Sequence, residues 1–488
     1  MVVNSFSFLL FFVVVFTIYY LPLFRKTPVF QNICLLLSSY VFYGITDVKM
    51  IPILLGATII FYSLGFFLYK EQQKGNEKGV NALKIIGVVL GVGLLLYFKY
   101  LNFFIDQLSS LLKAIGFNVT WSTLHIIMPI GVSFFTFKLI SYIIEIARGH
   151  IEPSRSFVQF AVYISFFPTI LSGPIDRPNN FLPQLKTVKT LDYSLAVDGL
   201  RQILWGMFIK MCIADNLASV TDIAWANYHT YPSSSLLVAA LLYPIQIYAD
   251  FCGYSDMAIG VSKLLGLNVA RNFNHPYLAR NVAEYWRRWH MSLTSWITDY
   301  VFMPLNVAFR NLGNLGMILA IIINLVVIGL WHGANWTFGV FGLYHGLLFV
   351  PLILSGAFMK KAKLKENKYG LPLFGDLCKM IGTYLLVALG HIIFRADSIN
   401  DAVGYIKGII TPSIISLPTG LGLDIIVFVF IVVLLVSDWL MRKYEFNLQL
   451  DKVRLGNSKV CRFAIYYVLI VLIYLYHGSS SNFIYFQF

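Results

Sequence analysis

Residues 321–348 read IIINLVVIGLWHGANWTFGVFGLYHGLL. Two apolar runs, Gly313–Trp331 and Trp336–Ser355, meet at Trp331-His332-Gly333, and each is long enough to cross most of a bilayer. A histidine at an apolar bend between two membrane helices needs a reason. One reading is a hydrogen bond across helices. The other is a functional site, because ionisable groups at membrane depth usually line a pathway or a reaction centre. Gly333 lets backbone or ligand come close, while Trp331, Asn335 and Trp336 supply flat apolar surface and one amide. A neutral imidazole there suits a general base acting on an alcohol.

The rest of the chain has the same character. Of its 488 residues 58% are hydrophobic and 12% charged, and the mean hydropathy is +0.73. Soluble domains are about 45–50% apolar and about 25% charged, so this composition implies an integral membrane protein. No run shows the alternation of a membrane barrel strand, and lipid then leaves helices. The fold class is all-α and polytopic. A net charge of +14 invites nucleic acid as a partner, but Lys and Arg sit in short loops between apolar runs, as topology selection produces, and no nucleic acid is expected. Cys34, Cys212, Cys252, Cys378 and Cys461 are scattered without metal-site spacing.

Predicted spans are Phe6–Leu23, Phe30–Thr46, Ile51–Tyr69, Ile85–Ile105, His125–Ala147, Phe157–Leu171 (short enough to be re-entrant), Ala196–Ala218 and Ser233–Ala249. Gly313–Trp331, Trp336–Ser355, Phe374–Phe394, Leu423–Met441 and Phe463–His477 bring the count to about thirteen. Basic loops at Arg25-Lys26, Lys70–Lys84, Lys360–Lys368 and Arg442–Arg462 are expected on the cytoplasmic side. Both termini then lie outside, and the bend at His332 points outward.

Tyr277–Leu305 differs from its surroundings. Tyr285, Trp289, Ser292 and Trp296 share one face at helical spacing, which predicts a helix lying at the membrane interface. It carries Arg287, Arg288 and His290. These arginines either snorkel to lipid phosphates or, with Trp289, hold a phosphorylated donor. Two stretches are expected to break helices and line a cavity: 172–178 (SGPIDRP), and 246–260 (QIYADFCGYSDMAIG), whose polar marks include Asp250 and Tyr254. No metal-binding histidine pair, G-x-S-x-G elbow, P-loop or G-x-G-x-x-G is present. The last six residues, FIYFQF, form an aromatic tail that on its own reads as an interfacial belt.

Together these stretches resemble the membrane-bound O-acyltransferase (MBOAT) family, in particular its bacterial alginate O-acetyltransferase branch. The likeness runs over roughly 97–488 through MPIGVSFFTFKLISY (128–142), FFPTILSGPIDRPNNFLPQL (166–185), GLRQILWGMFIKMCIADNLA (199–218), the 246–305 block with its W-R-R-W-H, GLWHGANWTFGVFGLYHG (329–346), IIFRADS (392–398) and the terminal FIYFQF. Departures from the branch pattern are Asn306-Val307-Ala308 in place of a Gly-Gly turn, Lys138 where Gln is usual and Asp176 where Glu is usual.

The resemblance implies a ring of about 11–13 transmembrane and re-entrant helices around a central tunnel. It implies one acyltransferase domain over 1–488, with N-terminal spans in 1–115, the catalytic core in 116–400, and C-terminal spans with an extracytoplasmic tail in 401–488. The activity implied is transfer of an acetyl group from a cytoplasmic thioester, with acetyl-CoA as donor and no bound cofactor or metal. The acceptor would be an exported polysaccharide or cell-wall glycan, or an extracytoplasmic SGNH-type transferase or esterase, at a bacterial plasma membrane. His332 matches the family's essential histidine and His290 its second one. Tyr485 matches the tyrosine of an aromatic tail motif implicated in carrying the acyl group. D-alanyl transfer from a carrier protein to teichoic acid is the neighbouring alternative. A transporter of polar solutes fits the composition but leaves the W-R-R-W-H and W-H-G pair without a purpose.

Overall fold

The computed structural model describes residues 3–21, 27–117, 124, 126–360, 364–453, 456, 458–479 and 484. Among these every regular element is helical, apart from an isolated bridge between Glu366 and Pro372. Eight helices or unbroken helical runs are long and apolar enough to cross a membrane, and Phe6–Tyr19 and Ile425–Leu440 are shorter apolar helices. The chain is a multi-pass membrane protein. Two predicted spans merge into the run Pro28–Gln73, and Ile85–Ile105 lies within the run Glu77–Ala114. The predicted span from His125 starts as a helix only at Val132, after a left-handed turn at Gly131 (φ 75°); His125 itself lies outside the described residues.

The chain divides into two compact units, Met1–Ile203 with Tyr254–Ala270, and Leu204–Gly253 with Arg271–Phe488. In the first unit, glycines let helices approach. A Cβ on Gly65 would meet Tyr142 at 2.6 Å, one on Gly87 would meet Ile143 at 2.8 Å, and one on Gly91 would meet Ile140 at 2.4 Å. Small residues at such contacts are how membrane helices pack, since lipid offers no hydrophobic drive between them. Phe157–Ser165 is helical for only nine residues, with its start capped by Ser156. The chain then runs through turns and coil to Arg177, so the expected break at 172–178 is present. The buried Lys138 donates to the Tyr163 carbonyl (3.2 Å) and the Thr169 hydroxyl (3.1 Å). Asp176 accepts from the Ala270 amide (2.9 Å) and Asn180 (3.2 Å). Burial pushes its pKa up to about 6 against the pull of Lys138.

The second expected break is absent. Ser233–Leu264 is one helix of 32 residues that runs through Pro244, Asp250 and Gly253. Its glycines serve contacts between helices instead: a Cβ on Gly253 would meet the Gly206 carbonyl at 2.7 Å, and one on Gly260 would meet the Gly199 carbonyl at 2.5 Å. Glycine marks close approach as readily as it marks a bend, and sequence alone does not separate the two.

In the second unit, Gly313–His332 and Trp336–Leu354 form a tight hairpin. A Cβ on Gly329 would meet the Phe338 carbonyl at 2.1 Å, one on Gly342 the Leu325 carbonyl at 2.3 Å, and one on Gly346 Ile322 at 3.0 Å. The partner number falls as the glycine number rises, so the two helices run antiparallel with glycine along the seam.

Candidate active site

His332 is the last residue of its helix, and Gly333 continues in extended backbone (φ −167°, ψ 160°). That turn works because position 333 has no side chain: a Cβ there would lie 2.1 Å from the Phe338 ring. Asn335 caps the returning helix, its Oδ1 accepting the Thr337 amide (3.0 Å), while its Nδ2 donates to the Asp397 carbonyl (2.7 Å). The Asn335 amide is therefore spent on the helix cap and on the chain at Asp397. Trp336 faces outward, 56% exposed.

His332 itself is buried, with ring centroids 5.1 Å from Trp331, 5.2 Å from Phe394 and 6.5 Å from His290. His290 is 1% exposed and also packs against Phe251 (4.6 Å) and Trp331 (5.8 Å). The two histidines, 42 positions apart in the chain, share one aromatic pocket.

His290 arrives there by an unexpected route. The predicted interfacial helix is broken into Val282–Trp286 and Met291–Ile297, with His290 between them at φ 44° and ψ 52°. Tyr285, Trp289, Ser292 and Trp296 are all buried, so they form core and not a membrane-surface face. Left-handed backbone at a non-glycine residue costs on the order of 1–3 kcal/mol and persists where surrounding structure enforces it. Asn272 does so here: its carbonyl accepts the Met291 amide (2.8 Å) and its side chain the Ser292 hydroxyl (2.6 Å). Burial holds the His290 imidazole neutral, its pKa pushed down to about 3.

The turn that places His290 inward also places Arg287 and Arg288 outward. A cavity of about 590 Å³ is lined by Arg280, Arg287, Arg288, Lys360 and Lys379, with Glu284 as its carboxylate. Glu284 pairs with Arg280 (3.1 Å) and Arg288 (2.9 Å). Burial opposes its ionisation, yet the Arg280 amide and the two guanidinium groups hold its carboxyl below the usual range. The cavity keeps an excess of cations, the complement of a phosphorylated ligand. Trp289 turns away from it and stacks on Tyr285 at 5.5 Å. A file of ring contacts leads inward from this region: Trp286 to His345 (5.3 Å), His345 to Phe341 (4.6 Å), Phe341 to Phe394 (5.1 Å) and Phe394 to His332. Trp286 Nε1 donates to His345 Nδ1 (3.3 Å).

A family model for the membrane-bound O-acyltransferase family matches residues 35–388. The chain belongs to that family. It is 34% identical over 407 residues to the probable alginate O-acetylase of Pseudomonas aeruginosa, covering 82% of this chain and 73% of the relative. It is 29% identical to the peptidoglycan O-acetyltransferase of Helicobacter pylori, with 80% and 76% covered. It is 30% identical to the teichoic acid D-alanyltransferase of Streptococcus thermophilus, with 62% and 76% covered. The protein is an O-acyltransferase.

Several site features of this acyltransferase escape sequence reading. His345 and His391 lie in the same buried aromatic cluster, but neither has a metal or catalytic spacing to His332. Asp250, expected in a cavity wall, instead pairs with Lys210 (2.6 Å), which also pairs with Asp215 (2.6 Å). Lys210 carried a readable signal, a cation deep inside an apolar span. Tyr254 is buried in the first unit, one turn beyond Asp250 on the same helix. Tyr485 lies outside the described residues.

Proposed function

We propose that this enzyme is an O-acetyltransferase of the bacterial plasma membrane, one catalytic domain over 1–488, that takes an acetyl group from cytoplasmic acetyl-CoA and delivers it outside to an exported polysaccharide or cell-wall glycan. The observation that carries this reading is the pairing of two buried histidines with a cation-lined cavity on the residues just before His290. The cavity suits the phosphates of coenzyme A. The relatives named as alginate and peptidoglycan O-acetyltransferases support acetyl as the group and a glycan as the acceptor.

In this mechanism His332 is the general base. It accepts the proton of the acceptor hydroxyl as that oxygen attacks the thioester carbonyl carbon. The C–S bond then breaks, and the departing thiolate takes the proton back from His332. Positioning and proton transfer carry most of the work, because a thioester is already an activated donor. His290, held neutral beside Trp331, orients the reacting groups. The acceptor on the outer side is Tyr485, which passes the acetyl group to an extracytoplasmic SGNH-type transferase.

The test is thioester-dependent thiol release by the purified enzyme, comparing acetyl-CoA with a D-alanyl carrier protein. Release from acetyl-CoA alone is expected. Release from the D-alanyl carrier alone overturns the donor assignment in favour of teichoic-acid-type transfer. Release from neither overturns both donor assignments. Intact-mass analysis of the C-terminal peptide after incubation with acetyl-CoA is expected to show acetylated Tyr485, and a fully active Tyr485→Phe variant would leave direct transfer to the glycan.

A further inference from the structure

Asp250 links its helix to Ile484, near the end of the chain. Lys210 lies on a π-helical segment, Ile209–Ala214, between the helices Tyr193–Phe208 and Asp215–Ala226. Such segments widen a helix by one residue per turn and recur at functional sites. Here the segment carries a buried ammonium between two buried carboxylates: Lys210 Nζ lies 2.6 Å from Asp215 and 2.6 Å from Asp250, and all three side chains are at most 3% exposed. A buried carboxylate oxygen without a donor is costly. The donor to Asp250 Oδ2 is the backbone amide of Ile484, at 2.9 Å, and Ile484 is itself buried.

The same segment grips the chain just after its last helix, Lys459–Tyr476. The Gly478 amide donates to the Met211 carbonyl (3.0 Å), and Asn216 Nδ2 donates to the Tyr476 carbonyl (2.9 Å). A Cβ at Gly478 would lie 2.9 Å from the backbone of Asp215 and Asn216, so only glycine passes this closely. Two independent contacts, one at 476–478 and one at Ile484, therefore meet the residues around Lys210.

We propose that Lys210, Asp215 and Asp250 form a latch that holds the C-terminal segment by the Ile484 amide, and that Asp250 acts as a positioning residue for the neighbouring Tyr485. The catalytic consequence rests on the acyl-tyrosine reading above; the latch does not. In the docked state Asp250 Oδ1 pairs with Lys210 and Asp250 Oδ2 accepts from the Ile484 amide.

The test is amide hydrogen exchange of the C-terminal peptide, residues 479–488, in the full-length enzyme in detergent. Ile484→Pro removes the donor without touching the buried charges, and it is expected to speed exchange of the remaining amides in that peptide at least tenfold, equivalent to about 1.4 kcal/mol. Asp250→Ala is expected to do the same, while Asp250→Asn, which keeps an acceptor, restores part of the protection. Peptides from the Gly313–Leu354 hairpin report that the unit is still folded; if Asp250→Ala does not fold, Ile484→Pro decides alone. Unchanged exchange in Ile484→Pro overturns the latch, even if Tyr485 is still acetylated. Faster exchange with undiminished acetyl transfer upholds the latch and removes the tyrosine relay.

Discussion

The two histidines of the proposed active site stand on opposite kinds of backbone. His332 ends a regular membrane helix, at the bend of a hairpin sealed by glycines. His290 sits in left-handed backbone between two short helices, held by Asn272 from elsewhere in the chain. A helix end delivers a side chain with no strain, so a site built there depends on local sequence. A left-handed histidine persists only while tertiary contacts enforce it, so a site built there depends on the surrounding unit. The hairpin should therefore tolerate loss of its imidazole, whereas the His290 turn couples chemistry to stability.

The largest test of this contrast is His332→Ala. Transfer should fall by at least the factor of about 10²–10⁴ associated with general-base catalysis, while the melting temperature stays near that of the parent. A protein that unfolds, or one that keeps its activity, would break the distinction. Next comes Gly333→Ala, which adds a methyl where the Phe338 ring leaves no room. Overpacking of this kind costs about 1–3 kcal/mol, measurable by thermal or denaturant unfolding, with a drop in kcat as His332 is displaced. An unaffected variant would mean that the bend can shift freely.

Arg287→Ala should leave kcat alone and raise KM for acetyl-CoA about tenfold, with an effect that shrinks in added salt. A KM that does not respond would separate the basic cavity from donor binding. The smallest effect concerns pH. His290 is neutral in the folded protein down to about pH 3, whereas its ordinary pKa is 6.5. Between those values the unfolded chain binds a proton that the folded one does not, so this group's contribution favours unfolding progressively as pH falls through that window. His290→Gln lacks the term. Its melting temperature should gain on the parent between pH 7 and pH 4, and a constant difference would show that His290 is not held neutral.

Much of this architecture was legible in the amino-acid order. The apolar runs around Trp331-His332-Gly333 predicted the hairpin, because helix length and glycine placement are local properties. The break at 172–178 was legible for the same reason, with two prolines and a glycine beside charges. Other features were not. The helix through Asp250 looked broken because glycine and charge mark kinks, yet there the glycines seat neighbouring helices and the charge meets Lys210. The aromatic spacing of 285–296 matched an amphipathic helix, but a period of 3.6 residues says nothing about a left-handed turn imposed from outside.

By itself, then, the sequence determined a helical membrane protein and its main hairpin, and it pointed to both histidines as candidates, since hydropathy, periodicity and motif are written along the chain. Only the tertiary structure decided that His290 reaches His332, that the arginines beside it open into a cation-lined cavity, and that Asp250 is spent on Lys210 and Ile484. Those three outcomes are contacts between residues tens to hundreds of positions apart, and burial and hydrogen-bond satisfaction settle them where no local pattern can.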